Sequence, residues 1–194
     1  MQDEHRPLLV VLSGPSGVGK DSMLDELERR GHRFHRVVTC TTRPPREGER
    51  NGVDYHFVTD AEFDRLIVAN GLLEHAVVYG RRYGVPKQQI LDAMDSGLDV
   101  YVRTDVQGAA TIKRLMPEAV LVFVAPSSLA EIESRIRGRK ADTEESIQRR
   151  LATAQAEMAR QPEFAHVIVN APEKLAVAAD RLEQVLESER QARE

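Results

Sequence analysis

Short apolar runs and helical repeats alternate along most of this chain. Four of these runs predict buried strands, at Leu8–Leu12, Val100–Val102, Val120–Ala125 and Val167–Val169. Between and after them, apolar residues recur three or four positions apart, which predicts amphipathic helices. Strands that alternate with helices favour a parallel sheet covered by helices on both faces.

Glycine and proline mark the ends of several predicted helices. Gly31, Gly71 and Gly97 are expected to end three of them, because glycine readily adopts the left-handed conformation after a helix C-terminus. Asp60 is expected to cap one helix, and Pro86 is expected to begin another. Two further helices are expected after Thr143 and after Pro172.

Two segments interrupt this alternation. Residues 39–83 are rich first in Arg, Gly and Pro and then in aromatic residues, which indicates an inserted subdomain with some strand content. Residues 134–150 contain six basic residues and predict a mobile, charged segment. These two insertions hold candidate side chains for an anionic ligand.

A phosphate-binding loop follows the first predicted strand. It fits the pattern G-x-x-x-x-G-K between a strand and a helix, the context that this motif requires. Its residues are Gly14, Pro15, Ser16, Gly17, Val18, Gly19 and Lys20. Backbone N–H groups of such a loop surround phosphate oxygens, and the lysine reaches the β- and γ-phosphates. The motif therefore predicts a nucleoside triphosphate site.

The residue after this lysine departs from the motif. Ser or Thr commonly stands there as a magnesium ligand, whereas this chain has Asp21 followed by Ser22. A carboxylate can ligate Mg²⁺ directly or through water, and it repels phosphates when no metal is bound. Asp21 is expected either to make nucleotide binding depend on magnesium or to cap the helix. Asp105, just after a predicted strand, is interpreted either as a second metal residue or as a helix cap.

Composition and charge narrow the class of protein. The 194 residues are 41% hydrophobic and 30% charged, which suits one globular domain or one core with insertions. With Cys40 as the only cysteine, neither an intramolecular disulfide nor a cysteine-based zinc site can form. The net charge of −4 argues against a nucleic-acid partner. Neither a signal peptide nor a membrane-length apolar run is present, so we expect a cytoplasmic protein with no membrane partner.

A second anion site is predicted in the first insertion. Arg43 and Arg46 lie three residues apart on a loop stiffened by prolines, and guanidinium groups match phosphate oxygens. Tyr55 and Tyr83 can add hydroxyl donors. From these residues alone, the arginines are either a phosphate clamp or solvated surface charges.

Seven motifs, in order and spacing, resemble the guanylate kinase family. They are Ser13–Lys20, Thr41–Glu49, Asn51–Tyr55, Phe57–Val58, Tyr83–Gly84, Asp105–Ala109 and Val167–Asn170. The phosphate loop occurs in many unrelated proteins, whereas the stretch from Thr41 to Tyr55 is highly specific. The Gly-Lys-Asp sequence is similar to the plastid-type and some bacterial members.

The resemblance implies a kinase that transfers the γ-phosphoryl group of ATP to GMP or dGMP, with Mg²⁺ as cofactor. It implies an α/β fold with a P-loop NTPase-type parallel sheet core, an inserted GMP-binding subdomain and a mobile lid. The expected boundaries are 1–37, 89–129 and 155–194 for the core, 38–88 for the GMP-binding subdomain and 130–154 for the lid. Whether the protein is a monomer or a homodimer is left open.

The resemblance also implies roles for individual residues. The expected GMP-binding residues are Thr39, Arg43, Arg46, Tyr55, Glu74, Tyr83, Val85 and Asp105. Glu74 would read the base, because a carboxylate accepts hydrogen bonds from guanine N1–H and N2–H₂ whereas adenine has an acceptor at N1. The expected catalytic residues are Lys20, Arg43 and the lid residues Arg135, Arg139 and Arg150, which would neutralise the transferring phosphoryl group. Asn170 is expected near adenine.

Two positions depart from the family pattern. Val85 stands where most members have Ser or Thr, so a hydroxyl contact to the base is lost. Arg103 stands where an acid is common, and it is expected to pair with Asp21 or Asp105 or to face the GMP phosphate.

Two other functions share part of the pattern. Ribose 1,5-bisphosphate kinases carry Gly-Lys-Asp-Ser and Tyr-Gly-Val, but they do not need the arginine clamp or Glu74. Guanylate-kinase-like domains of scaffold proteins bind peptides and usually lack a working phosphate loop. We expect a kinase without a covalent intermediate, in which the subdomain and lid close around both substrates before phosphoryl transfer.

Overall fold

A computed structural model describes residues 6–78, 80–137 and 143–193 of the chain. Within these ranges, nine strands and seven α-helices follow one another, with one short 3₁₀ helix at Gln161–Glu163. The strands are β1 Leu9–Ser13, β2 Phe34–Arg36, β3 Cys40–Thr41, β4 His56–Phe57, β5 Leu72–Val78, β6 Arg81–Pro86, β7 Asp99–Arg103, β8 Val120–Ala125 and β9 His166–Val169. The helices are α1 Lys20–Arg29, α2 Asp60–Val68, α3 Lys87–Asp95, α4 Val106–Leu115, α5 Leu129–Arg137, α6 Glu144–Ala159 and α7 Leu175–Gln191.

The larger sheet contains the four strands that the apolar runs predict. Its order is β2-β7-β1-β8-β9, and both edge pairings, β2 with β7 and β8 with β9, are parallel. All five residues of β1 are buried, which explains the apolar run Leu9–Leu12 that precedes its last residue, Ser13. The predicted parallel sheet is confirmed. The edge strand β2 was not predicted, because its sequence Phe-His-Arg is half-buried and has no apolar run.

The smaller sheet is mixed and has the order β4-β3-β6-β5. β3 is parallel to β4 and antiparallel to β6, which is also antiparallel to β5. Its four strands fall between Cys40 and Pro86, within the range 38–88 expected for the GMP-binding subdomain. Gln89 of α3 ties the start of this segment by accepting the Val38 N–H at 2.9 Å and donating to the Val38 carbonyl at 3.1 Å. The boundaries proposed for core, subdomain and lid remain predictions.

One face of the smaller sheet packs against α2. Cys40, Phe63 and Leu72 form a buried cluster there, with Leu66 and Ile67 beside it. At Gly84, opposite Cys40 in the ladder, an added Cβ would lie 2.6 Å from Leu72 Cδ1 and 3.0 Å from Phe63 Cζ. The sheet and the helix can approach this closely because residue 84 has no side chain.

The helix ends follow local capping chemistry, with two corrections to the sequence predictions. After α2 the left-handed residue is Asn70, with a φ of +52°, rather than Gly71. The cap of α2 is Thr59 rather than Asp60: its extended backbone lets its hydroxyl accept the Glu62 N–H at 3.2 Å, and Glu62 accepts the Thr59 N–H at 2.7 Å. Asp60 is instead the first helical residue, where a negative charge complements the helix dipole. Helix α6 begins after Thr143, as predicted, and the Thr143 hydroxyl accepts the Ser146 N–H at 3.3 Å.

The chain divides into two compact units. Among the described residues, the first contains residues 6–10, Phe34–Arg103 and Gln107–Ala119. The second contains Val11–Arg33, Thr104–Val106 and the residues from Val120 onward. In the described ranges, no helix combines the length and the apolar composition needed to cross a membrane. The phosphate loop belongs to the second unit, and the predicted arginine clamp belongs to the first.

Candidate active site

The phosphate loop has a backbone that glycine alone accommodates at two points. Gly14 has a φ of +122°, and a Cβ there would lie 2.1 Å from the Val124 carbonyl oxygen. Gly19 has a φ of +96°, and a Cβ there would lie 2.4 Å from Asn170 Nδ2. Both positions combine a left-handed conformation with a close approach, which requires glycine. The loop is therefore built against strand β8 and the residue that follows β9.

Two side chains hold the outward-facing carbonyls of this loop. Asn170 Nδ2 donates to the Val18 carbonyl at 2.8 Å. Arg135 Nη1 donates to the Gly17 and Val18 carbonyls at 3.2 and 3.0 Å, and an ion pair with Glu131 anchors the arginine. These bonds satisfy carbonyl oxygens of the loop without using its N–H groups. In this structure, Arg135 and Asn170 thus brace the phosphate loop.

Lys20 begins helix α1 and folds back over the loop. Its Nζ donates to the Gly14 and Pro15 carbonyls at 2.5 and 3.2 Å. The cap residue Gly19 has no side chain to accept the first N–H groups of the helix, so these donors suit an anion. Asp21 lies exposed in the first turn of the helix, beside Lys20.

A buried acid that the sequence analysis missed lies close to this lysine. Glu157 of α6 is 8% exposed, and its Oε2 makes no hydrogen bond within the part of the chain that the structure describes. Burial raises the pKa of Glu157 to about 7, with Lys20 lowering it and Asp105 raising it through space. The spacing of the sequence could have indicated that Glu157 is buried. It follows the buried Ala154 by three residues, which places both on the same face of the helix.

The predicted arginine clamp is built around Arg43. Its guanidinium carbon lies 5.2 Å from the Tyr55 ring centre and 5.6 Å from the Phe57 ring centre. The Tyr55 and Tyr83 rings meet edge to face, with centroids 6.1 Å apart. The Arg43 side chain is 11% exposed, so it is not a solvated surface charge. Arg46, in contrast, is exposed on the same loop.

The clamp contains an acid that the sequence analysis did not assign to the site. Glu49 makes two hydrogen bonds with the Arg43 guanidinium, at 2.8 and 2.9 Å. Burial opposes the charge of both groups, yet these bonds raise the pKa of Arg43 and hold the pKa of Glu49 below its usual range. Burial also raises the pKa of Tyr55, so its hydroxyl stays protonated as a donor.

Strand register brings the base-reading candidates onto the same face as the clamp tyrosine. Directly paired residues on neighbouring strands point to one side of a sheet, and so do residues two apart in a strand. Tyr83 and Val85 are two apart in β6, and Glu74 of β5 pairs with Val85. Thr39 comes one residue before β3, in register with Val85. Glu74 and Thr39 are 5% and 6% exposed, and Val85 is fully buried.

A β-bulge turns Glu74 to this side. Leu72 and Glu74 are two apart and would share a face in a regular strand, but the register shifts by one residue between them. Leu72 therefore packs on Phe63 beneath the sheet, whereas Glu74 lies on the face of Tyr83. The bulge separates a core residue from a candidate site residue.

The remaining candidates have varied settings. Arg103 ends β7, and burial lowers the pKa of its guanidinium. Asp105 directly precedes α4 and is half-buried. This position suits both a metal residue and a helix cap, and both interpretations remain predictions. Arg150 is a half-buried residue of α6. Arg139 lies outside the described residues. Burial raises the pKa of the Cys40 thiol to about 11, which leaves it unreactive.

The fold and the loop around Lys20 place this chain among the P-loop phosphotransferases. A family model described as guanylate kinase matches residues 6–189. The chain therefore belongs to the guanylate kinase family.

Curated relatives and a solved structure agree with this assignment. The chain is 49% identical over 162 residues to a guanylate kinase of Thermobifida fusca, covering 84% of this chain and 83% of the relative. It is 41% identical over 186 residues to the chloroplastic/mitochondrial guanylate kinase 2 of Oryza sativa, covering 95% of this chain and 65% of that longer protein. A crystal structure of guanylate kinase from Anaplasma phagocytophilum matches with a TM-score of 0.78 at 32% identity, covering 96% of this chain and 87% of that one.

Proposed function

We propose that this protein transfers the γ-phosphoryl group of ATP to GMP, giving ADP and GDP, and that it also accepts dGMP. The observation that carries the proposal is the shared face of the smaller sheet, which places the acid Glu74 on the same side as Tyr83 of the arginine clamp. A carboxylate there can read a guanine, and an arginine with two tyrosines can hold a phosphate. Family membership supports the same reaction.

The chemistry needs positioning and charge neutralisation more than proton transfer. A phosphate oxygen of GMP attacks the γ-phosphorus, and the bond from that phosphorus to the bridging oxygen of ADP breaks. We assign Arg43, Tyr55 and Tyr83, with Arg46, to the acceptor phosphate. Lys20 and the N-terminus of α1 are assigned to the ATP phosphates. Arg135, Arg139 and Arg150 are proposed to neutralise the transferring group.

Asn170 and Arg135 have a second proposed task. Their hydrogen bonds to Gly17 and Val18 fix the shape of the phosphate loop before a nucleotide arrives. Preorganised donors need no rearrangement when charge develops in the transition state. Each residue is thus proposed to act both on the loop and on the bound nucleotide.

The residues near Lys20 fit a magnesium ion that is shared with the nucleotide. Asp21 and Asp105 offer carboxylate oxygens, the ligand type that Mg²⁺ prefers. Among the described residues, no group of three acidic, histidine or cysteine side chains forms a complete metal cage. An ion held by one or two carboxylates, water and phosphates matches the usual binding of Mg²⁺. When bound, the metal would neutralise negative charge on the phosphates.

Partners and location follow from the proposed reaction. ATP and GMP or dGMP are the proposed small-molecule partners. A cytoplasmic location and the absence of a nucleic-acid or membrane partner remain proposals from the sequence. The choice between monomer and homodimer is left open.

An acceptor panel tests the function. ADP release is measured with ATP and Mg²⁺ in the presence of GMP, dGMP, AMP, UMP or ribose 1,5-bisphosphate. We expect turnover with GMP and dGMP only. Glu74→Gln is expected to lower kcat/KM for GMP at least about 100-fold, because one acceptor becomes a donor facing the base. Glu47→Gln, an exposed change of the same charge, is the matched control.

Other results of the panel would redirect the proposal. Turnover only with ribose 1,5-bisphosphate would place the protein with the ribose bisphosphate kinases. Tight nucleotide binding with no turnover on any acceptor would favour a binding module. Glu74→Gln with wild-type selectivity would remove Glu74 as the base reader.

A further inference from the structure

Glu49 ties together the loop that carries both clamp arginines. Its two carboxylate oxygens accept hydrogen bonds from Arg43 Nη1 and Nη2 at 2.9 and 2.8 Å. The same carboxylate accepts the backbone N–H of Arg46 at 2.7 Å. One side chain therefore fixes the guanidinium of the first arginine and the main chain of the second.

The two-point contact fixes the plane and the direction of the Arg43 guanidinium. Nη1 also donates to the Pro44 carbonyl at 2.8 Å, so both of its N–H groups are used. Tyr83 also interacts with this guanidinium and raises its pKa. The remaining donors, on Nη2 and Nε, are those left for a ligand.

Glu49 is held in place independently of Arg43. The Arg46 N–H anchors its carboxylate, and its side chain is only 18% exposed. An anion arriving at Arg43 therefore meets a carboxylate that is already fixed by another bond. This arrangement favours a role in which Glu49 supports Arg43 as it binds the anion. If Glu49 instead competed with the anion for Arg43, its carboxylate would have to leave as the anion bound.

We propose that Glu49 is a positioning residue of the acceptor site, which orients Arg43 so that its remaining N–H groups face the phosphate of the acceptor nucleotide. The proposal rests on the proposed function, because it takes Arg43 as a ligand of that phosphate. A guanidinium on a flexible stem loses rotamer freedom when it binds, and Glu49 removes that freedom in advance.

Calorimetric titration of the full chain with GMP, guanosine and ATP tests this role. Glu49→Gln keeps the size but turns one acceptor into a donor, and we expect its GMP affinity to fall about tenfold. Glu49→Ala is expected to lose more GMP affinity than Glu49→Gln. Glu49→Asp, which keeps the charge with a shorter reach, is expected to lose less than Glu49→Gln. Affinity for guanosine, which has no phosphate, and for ATP should change less than twofold.

Two comparisons separate positioning from a general effect of charge or folding. Glu47→Gln removes the same charge from the same loop and should leave GMP affinity unchanged. In an Arg43→Ala background, Glu49→Ala should add less than a twofold loss, because Glu49 acts through Arg43. A change in guanosine and ATP affinity as large as that for GMP would mean a merely structural role and would overturn the proposal.

Three further results would also overturn it. Tighter GMP binding by Glu49→Gln would show that the carboxylate competes with the phosphate. An equal effect of Glu47→Gln would show a long-range charge effect. If Glu49→Ala lowered GMP affinity as much in the Arg43→Ala background as in the wild type, Glu49 would act through a group other than Arg43. If the wild type itself does not bind GMP, the proposed function fails first, and this inference falls with it.

Discussion

At the scale of single residues, the acids of this chain have opposite electrostatic settings. Arg43 and the Arg46 N–H stabilise the charge of Glu49, so the pKa of Glu49 lies below its usual range despite burial. Burial raises the pKa of Glu157 to about 7, and one of its oxygens has no hydrogen bond among the described residues. Glu49 is thus a stable anion, whereas Glu157 exchanges a proton near neutral pH.

Glu157→Gln is expected to stabilise the protein at pH 8. The folded state holds a proton that the unfolded chain, with a carboxyl pKa of about 4.3, releases at lower pH. Wild-type stability should therefore fall as the pH rises from about 4.5 to about 7 and then level off. A shift from 4.5 to about 7 corresponds to an upper limit of about 3 kcal/mol at pH 8. Denaturant unfolding of both proteins at pH 5 and pH 8 measures the difference.

The exposed change Glu47→Gln is the control for this experiment. It removes an exposed carboxylate and leaves the buried Glu157 in place. The stability of this variant should therefore still fall between pH 5 and pH 8. A Glu157→Gln protein with the pH dependence of the wild type would contradict the assignment of this titration to Glu157.

The sequence predicted site residues where a motif combines residue type and spacing. Lys20 follows from its loop, and Arg43 follows from the motif Thr41–Glu49. Glu74 lies outside the seven motifs and follows only from its matching position in the family pattern. Glu49 lies inside one of those motifs, but its bond to Arg43 depends on the fold of the loop, which spacing does not determine. Glu157 is an acid on a helix, a residue type that is usually solvated.

At the scale of elements, burial explains which predictions were correct. Strands β1 and β8 are almost completely buried, so their apolar runs were diagnostic. Strands β3 and β4 have two residues each, too few to show an alternating pattern. The bulge in β5 depends on pairing with β6, and the sequence of β5 alone does not reveal it.

Gly84→Ala is expected to destabilise the protein by about 1–3 kcal/mol. The added methyl group would lie 2.6 Å from a Leu72 methyl carbon and 3.0 Å from the buried Phe63 ring, so these side chains must repack or the sheet and α2 must move apart. Thermal unfolding measures the loss. At Gly71 the nearest atom to an added Cβ is 3.4 Å away, so Gly71→Ala is the matched control. Equal stability of both variants would show that the sheet and α2 adapt without cost.

At the scale of the whole molecule, an acidic protein has to bind two anions. The net charge of −4 gives no general attraction for phosphates. Binding must then depend on local donors, and in the proposed function each unit provides its own: the loop around Lys20 in the second unit and the Arg43 clamp in the first. Acids also lie near the loop. Glu157 is close enough to Lys20 and to Asp105 that Lys20 lowers the pKa of Glu157 and Asp105 raises it.

ATP binding is expected to depend on magnesium through Asp21. In titrations without metal, the exposed carboxylate beside Lys20 repels the phosphates, so wild-type affinity should fall about tenfold when EDTA replaces Mg²⁺. Asp21→Asn should lose most of this difference. Asp25→Asn, one turn further along α1, should behave as the wild type does. A wild-type affinity that is insensitive to Mg²⁺ would instead leave Asp21 as a helix residue without a metal role.

The bulge in β5 also bears on how the length of this chain can change during evolution. The extra residue sits between Leu72 and Glu74, and pairing is regular from Glu74 onward. Loss of Leu73 would leave Leu72 opposite Pro86 and Glu74 opposite Val85, so the acid would keep its direction. Loss of one residue from the regular part of the strand would reverse every side chain beyond it. Relatives of this protein should therefore vary in length at the bulge and keep the rest of the strand constant.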